Sequence, residues 1–321
     1  MKRWSNITCV FLLISNYLAA QQTPMYFQYT FNKAGMNPAA SGTEIDQENY
    51  FAAGINRQWV GMENAPFSSF FNLSYTIRPP RSYRYWQNAG VYLDSDQSGM
   101  VSSDNFYGSY TFHMLLRKTH VLSFGVFAGM RSFKKDLGAF DPSDPAVAKN
   151  VSALYLYPDI IPGLRYAGKT YFIDFSLRQI TITRLKDFKG RRIGGPSKLT
   201  PQLYFDAGKK IPVSDFLMMM PSVALNMPLI GPPSVDGNVM FYYANRFGAG
   251  LGIRGIGQIN ATLQIRFFKN TTVGFAYSYP LNSLRYSVPN SIELMVGVVP
   301  IGMNAKSSGR HSVAKCPALS Y

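Results

Sequence analysis

The sequence has few cysteines and no long apolar run. Among its 321 residues only Cys9 and Cys316 are cysteines, and Cys9 lies in a leader that we expect to be removed. One remaining thiol excludes an internal disulfide framework and a structural zinc site built on cysteine. After the leader, no stretch reaches the roughly 18 apolar residues of a transmembrane helix. These absences exclude a disulfide-stapled domain and a helical membrane protein.

Charged residues are also scarce, at 15% of the chain, and aromatic residues make up an equal 15%. The formal net charge is +15, and removal of Lys2 and Arg3 with the leader lowers it to +13. Such a balance is typical of nucleic-acid binding. Export from the cytoplasm argues against nucleic acid, so acidic lipid headgroups or an acidic protein partner fit better.

The first 20 residues have the layout of a secretory signal peptide. Two basic residues precede an apolar run over residues 7–18, and Ala19 and Ala20 supply small side chains before the polar Gln21. We therefore expect cleavage near Ala20 and a mature protein that is exported.

The rest of the chain alternates apolar and polar side chains, as membrane-spanning β-strands do when one face meets lipid and the other the lumen. Within residues 171–178, Tyr171, Ile173 and Phe175 share one face, while Asp174, Ser176 and Arg178 share the other. A soluble β-sandwich also alternates, but here the apolar face recurs on nearly every segment. The pattern favours an all-β fold, a transmembrane antiparallel β-barrel of about 14 strands.

The predicted organisation has four parts: a signal peptide at 1–20, an N-terminal periplasmic or plug segment at 21–49, the outer-membrane barrel at 50–299, and a basic periplasmic tail at 300–321. The predicted strands are 50–60, 67–78, 86–95, 104–116, 119–132, 158–168, 169–182, 199–210, 215–226, 234–244, 246–255, 258–269, 271–280 and 290–299.

The connections should alternate in length if the N-terminus stays in the periplasm, with short turns on the periplasmic side and longer loops outside. Arg117–Lys118 and Lys269–Asn270 are short, Thr183–Lys198 is long, and Ile256–Gly257 is a short exception. In the first strand Arg57 falls on the more apolar face, which predicts either a β-bulge or an arginine that reaches interfacial water.

Several charged residues fall on the polar face of the predicted strands. The main ones are Asp174, Arg178, Arg266 and Glu293, with Asp206, Arg246 and Arg254. Because a charge facing lipid is costly, we expect these side chains to point into the lumen. They would either pack there as a polar network, the preferred interpretation, or line an open channel.

No residue pattern supports catalysis, a cofactor or a metal site. The three histidines, His113, His120 and His311, lack a nucleophile motif nearby, so we predict that the protein is not an enzyme, an outer-membrane phospholipase included. Asp141–Asp144 lacks the spaced ligands of a calcium loop and is interpreted as a solvated turn.

Two basic segments are candidates for partner contacts. The loop from Thr183 to Lys198 carries a cluster of bases that could dock an acidic partner or lie in solvent near lipopolysaccharide phosphates: Arg184, Lys186, Lys189, Arg191 and Arg192. The tail after Val299 has basic and no acidic side chains, and is either disordered or a contact for a periplasmic partner.

Two blocks near the start carry a specific resemblance. The first contains Gln28, Tyr29, Asn32, Asn37 and Pro38, within QYTFNKAGMNPAASG; the second contains Arg57, Gln58, Trp59, Gly61 and Pro66, within RQWVGMENAP. Both blocks, in this order and spacing, resemble the opening of the PorP/SprF family of Bacteroidetes outer-membrane proteins. Later segments, LSFG at Leu122 and SIELM at Ser291, are similar to family strands.

The resemblance implies a non-catalytic outer-membrane barrel in type IX secretion and gliding. Its implied partners are outer-membrane lipid, the periplasmic lipoprotein and ring components of the machinery, and the C-terminal domain of a large secreted adhesin. We predict that it docks or anchors the adhesin or the machinery. An outer-membrane channel or transporter for small solutes is the alternative. The aromatic run Tyr26–Phe31 would then plug the lumen or meet a partner, and plugging is preferred because exposed aromatic surface is costly in water.

Overall fold

The chain forms a closed antiparallel β-barrel in a computed structural model. The structure describes residues 26–43, 49–77, 84–117, 119–135, 153–181, 200–244, 246–267, 270–281 and 289–298. Among these residues, no helix is long and apolar enough to cross a membrane. The predicted signal peptide, the C-terminal tail, the basic loop at 183–198 and Asp141–Asp144 lie outside the described residues.

Fifteen strands are numbered here in chain order. They are β1 Asn49–Arg57, β2 Phe67–Ile77, β3 Tyr85–Ser98, β4 Val101–Arg117, β5 His120–Lys135, β6 Ala153–Ala167, β7 Tyr171–Arg178, β8 Gln202–Lys209, β9 Ile211–Pro212, β10 Leu217–Pro228, β11 Ser234–Tyr243, β12 Phe247–Arg254, β13 Gln258–Phe267, β14 Thr271–Pro280 and β15 Ser291–Val298.

Each strand pairs with its neighbours in sequence, and β15 pairs with β1 to close the barrel. The two-residue β9 pairs with β10 in the same register as β8, so β8 and β9 are one strand interrupted at Lys210. The barrel therefore has fourteen strands. The predicted fold class and strand number are confirmed.

The two ends of the barrel differ in their connections. The first rim, where β1 begins, carries the connections 78–84, 118–119, 168–170, 213–216, 244–246 and 268–270. The second rim, where β1 ends, carries 58–66, 99–100, 136–152, 179–201, 229–233, 255–257 and 281–290. The longest connections all lie at the second rim. Two second-rim connections are nevertheless short: 255–257, as the sequence predicts, and 99–100.

Side chains alternate between the lumen and the outside, as the sequence predicts. In β15, Ile292 is 36% exposed and Leu294 48% exposed, while Glu293 between them is fully buried. In β7, Ile173 and Phe175 are exposed, and Asp174 and Ser176 are buried. This period of two places an apolar band outside the barrel and a polar surface inside it.

The β3–β4 hairpin extends further than the sequence predicts. Its added tip residues, 96–98 and 101–103, are mostly polar and continue the backbone pairing, with Asp96 opposite Ser103 and Ser98 opposite Val101. This pairing continues the ladder past the apolar band, which is why apolar alternation alone ends the strands too early.

Arg57 lies at the very end of β1. The pairing of β1 with β2 is continuous from Asn49 to Arg57, so the predicted bulge is absent from this strand. Arg57 shares the outward phase with Ile55 and is exposed at the second rim. Because Arg57 is the last residue of β1, its outward-pointing guanidinium can reach water at the rim instead of facing lipid.

Candidate functional site

The chain's own residues 26–43, here called the lumen segment, lie inside the barrel. All of its residues are buried except Ala40 and Gly42, which are half-buried. The segment ends beside the first rim, where the Trp86 indole nitrogen donates to the Gly42 carbonyl at 2.8 Å. The segment thus occupies space that would otherwise belong to the lumen.

The lumen segment is folded by its own side chains. Asn32 caps the four-residue helix α1 (Lys33–Met36), accepting from the Gly35 amide at 3.3 Å. Asn37 is extended, as a residue before proline prefers, and its side-chain oxygen caps a 3₁₀ turn over Pro38–Ala40. The family-motif asparagines therefore set the path of the segment.

Glu293 on β15 anchors the start of the segment. Its two carboxylate oxygens accept the backbone amides of Phe27 at 2.5 Å and Gln28 at 3.1 Å. A carboxylate that binds adjacent backbone amides forms charge-assisted hydrogen bonds, which are stronger than neutral ones. Nearby, the Arg254 guanidinium lies 4.1 Å from the centre of the Phe27 ring and is paired with Asp236 at 2.8 Å.

Asn37 joins the middle of the segment to a buried ion pair. Its amide nitrogen donates to Asp174 Oδ1 and to the Leu164 carbonyl, both at 2.9 Å. The other oxygen of Asp174 binds Arg165 at 2.5 Å. Asn37, Arg165 and Asp174 are buried, so the segment is part of a desolvated charge network rather than a loose occupant.

Further hydrogen bonds tie the segment to other parts of the wall. Ser176 Oγ donates to the Met36 carbonyl at 2.9 Å, and Arg178 donates to the Gly35 carbonyl. Two strands further along the sheet, Tyr29 shares a 2.8 Å hydrogen bond with Ser222 on β10. Burial raises the pKa of the Tyr29 hydroxyl well above its ordinary value, so this group stays neutral.

Two glycines of the wall allow the segment to approach the strands closely. A Cβ added at Gly125 would overlap the backbone between Pro38 and Ala39, and one at Gly163 would overlap the Asn37 side-chain oxygen. Because the first obstacle is backbone, it cannot be relieved by rotating a side chain. The segment and the wall are therefore complementary in shape.

His113 forms a hydrogen-bonded pair with Ser123, but both side chains are inaccessible to solvent. His113 Nδ1 lies 2.7 Å from Ser123 Oγ, both residues are fully buried, and the ring stacks on Trp86 at 4.9 Å. Where the structure describes the chain, no group of three or more His, Cys, Asp or Glu side chains could hold a metal ion.

The two motif blocks lie at different levels of the barrel. Gln28, Tyr29, Asn32, Asn37 and Pro38 are in the lumen segment; Arg57, Gln58, Trp59, Gly61 and Pro66 are in or beside the second-rim connection 58–66. Two backbone hydrogen bonds hold that connection in place: the Gln58 amide donates to the Pro66 carbonyl and the Val60 amide donates to the Asn290 carbonyl, both at 2.9 Å. Trp59, Gly61 and Asn64 have positive φ angles.

The four lumen charges lie at three places. Asp174 and Arg178 contact the middle of the lumen segment, and Glu293 contacts its start. Arg266, near the first-rim end of β13, is only half-buried. Among the others, Asp206 is buried, whereas Arg246 is exposed in a first-rim turn.

Sequence reasoning missed two ion pairs of the wall and the lysine of α1. Arg131 lies 3.5 Å from Asp159, and Asp236 faces Arg254 directly across β11 and β12. Lys33 packs over the Phe172 ring. Opposite charges at facing positions of adjacent strands are a usable signal, but reading them requires the register between strands.

Comparisons with known proteins identify the family and the fold. A family model described as type IX secretion system membrane protein PorP/SprF matches residues 18–298. The toluene transporter TbuX of Ralstonia pickettii is 12% identical with a TM-score of 0.51, over 88% of this chain and 96% of that one. CymD, a monoaromatic hydrocarbon channel, is 11% identical with a TM-score of 0.51, over 91% and 98%. No curated protein matches the chain significantly.

Proposed function

Because the chain belongs to the PorP/SprF family of type IX secretion system membrane proteins, we propose that it is a non-catalytic docking barrel rather than a conduit. It is a secretion-system membrane component with the fold of outer-membrane barrels. In this proposal it anchors a secreted adhesin through the adhesin's C-terminal domain, or holds the periplasmic lipoprotein and ring components.

The filled lumen is the observation that carries the proposal. The segment 26–43 is hydrogen-bonded to strands on several sides, including β15 through Glu293, β7 through Ser176 and β10 through Ser222. Displacing it would leave many of these buried polar groups without partners, which is costly. The interior is therefore a structural element, and partners are met at the rims.

The two rims take different roles in this proposal. Longer connections at the second rim support its assignment to the cell exterior, because outer-membrane barrels have short periplasmic turns. In the connection 58–66, Val60 and Met62 are each 39% exposed, which provides an apolar contact for cargo. The basic residues from Arg184 to Arg192 add a charged contact for an acidic partner.

Loss of the protein should remove surface display of its cargo. Cells lacking the gene are complemented with the wild type or with a variant that reverses the loop charges: Arg184→Glu, Lys186→Glu, Lys189→Glu, Arg191→Glu and Arg192→Glu. We expect the wild type to restore display of type IX cargo, and the variant to restore about tenfold less. Antibody labelling of cargo on intact cells measures both. Unchanged display of every cargo in the deletion strain would overturn the proposal.

Ser123→Ala provides the matched control for an enzymatic role. The substitution removes the hydroxyl beside His113 in a fully buried site and leaves the rims unaltered. A docking barrel should display cargo at the wild-type level with this variant. Loss of display despite a normal amount of folded barrel would favour chemistry at the histidine.

A small-solute channel is the rival function. The TbuX and CymD likenesses are below 25% identity and establish the fold alone. A channel requires a continuous path, and the buried lumen segment occupies space through which such a path would run. Conductance of the purified barrel separates the two functions.

A further inference from the structure

Basic residues surround the first rim. Each of its six connections has a described basic residue within it or within three positions of it: Arg84, Arg117, Lys169, Lys210, Arg246 and Arg266. Over the same stretches the sequence contains a single acidic residue, Asp215. At the second rim, by contrast, acidic residues such as Glu63, Asp96 and Asp236 lie in or near most connections. The six strand-to-strand connections of the first rim are therefore mainly basic, whereas the sequence that leads into β1, residues 44–48, is acidic, with Glu44, Asp46 and Glu48.

One sector of this ring also contains outward aromatic side chains. The His120 and Tyr166 rings are 5.9 Å apart, and the Tyr166 and Tyr171 rings are also 5.9 Å apart. Tyr166 and Tyr171 share the outward phase of Leu164 and Ile173, on the surface that faces lipid. Aromatic rings of this kind sit at the boundary between hydrocarbon and headgroups.

Three exposed bases flank these rings. Arg117 lies opposite His120 in the register of β4 and β5, next to their turn. Lys209 lies opposite Tyr171 in the register of β7 and β8. Lys169 lies in the turn between Tyr166 and Tyr171. The bases are thus held at the level where phosphates of a lipid monolayer would lie, with their apolar stems free to lie along the rings.

We propose that the first rim is a binding ring for anionic phospholipid headgroups, with Arg117, Lys169 and Lys209 forming its principal site. The distribution favours lipid over a protein. The principal bases lie beside outward aromatic rings of the kind found at the lipid boundary, and further bases lie at all six strand-to-strand connections of this rim. A membrane leaflet touches every sector at once, and it attracts basic residues near its surface.

The test compares two lipids on the purified full-length barrel in bilayers. Spin-labelled phosphatidylglycerol and phosphatidylcholine give the relative association constant of the two headgroups. We expect the wild type to prefer phosphatidylglycerol by roughly fivefold at low salt. The preference should approach unity in Lys169→Glu/Lys209→Glu, and also in the wild type at about 1 M salt, where charges are screened within about 3 Å.

The matched control is Arg57→Glu/Lys134→Glu, which reverses two exposed bases at the second rim. This variant should keep the phosphatidylglycerol preference. Equal association of both lipids with the wild type, or an equal loss in the control, would overturn the proposal. Binding of poly-glutamate that Lys169→Glu/Lys209→Glu abolishes, without lipid preference, would instead assign the ring to an acidic protein and also overturn it. Heat-modifiable migration on gels verifies that each variant is folded.

Discussion

Removing residues 26–43 should turn a nearly non-conducting barrel into an ion-conducting pore. The fourteen-stranded wall closes without the lumen segment, because its ladder hydrogen bonds run between strands. A barrel of this size encloses more space than wall side chains alone fill, since eight strands already give an interior that side chains just fill. Single-channel conductance in planar bilayers should rise roughly tenfold or more over the wild type.

The control for this prediction is Ser176→Ala. It removes one hydrogen bond to the Met36 carbonyl but leaves the segment in place, so conductance should stay at the wild-type level. A deletion variant that is folded yet conducts no more than the wild type would contradict the account of the lumen. A wild type that already conducts strongly would favour the small-solute channel.

Asp174→Ala should strongly destabilise the barrel. The substitution leaves the buried Arg165 guanidinium without its carboxylate and removes one acceptor of Asn37. Breaking a buried ion pair by deleting one partner costs about 3–5 kcal/mol. The free energy of unfolding, from reversible urea titration in lipid vesicles, should fall by that amount.

Removing both charges together should cost much less. In Arg165→Met/Asp174→Leu no charge is left buried and alone, and apolar replacement of a buried pair is often near neutral. The double variant should therefore be more stable than Asp174→Ala. If the single substitution lowered the unfolding free energy by less than about 1 kcal/mol, the pair would not be the desolvated network described here.

Strand number and facing could be predicted from the sequence because alternation is a local property. The predicted strand at 271–280 has the observed bounds of β14, and Asp174 and Glu293 lie on the buried face of their strands. The β3–β4 hairpin is longer than predicted because most of the residues that extend it, in 96–98 and 101–103, are polar, so apolar alternation does not reveal them. Cross-strand hydrogen bonds, which depend on register, stabilise it instead.

The lumen contacts could be anticipated only in part. Alternation indicates that Glu293 points inward, but its binding to the Phe27 and Gln28 amides joins residues at opposite ends of the chain. Gly125 and Gly163 similarly look like ordinary strand glycines until Asn37 and Pro38 are placed against them. Such complementarity is a property of the tertiary arrangement, which single-strand patterns do not encode.

The central claim is that the barrel serves secretion with its lumen closed. A disulfide between Asn37→Cys and Gly163→Cys can lock it, in a Cys316→Ser background. A Cβ at Gly163 would overlap the Asn37 side-chain oxygen, which is two bonds from the Asn37 Cβ. Cysteines at both positions therefore bring their Cβ atoms into the ~3.5–4.5 Å range of a disulfide.

The decisive measurement is cargo display on cells carrying this variant, before and after a membrane-impermeant reductant, with each single cysteine variant as control. A docking barrel should display cargo equally well in the locked and reduced states. Display that stops when the disulfide forms and returns on reduction would show that the segment must leave the lumen, and would contradict the account.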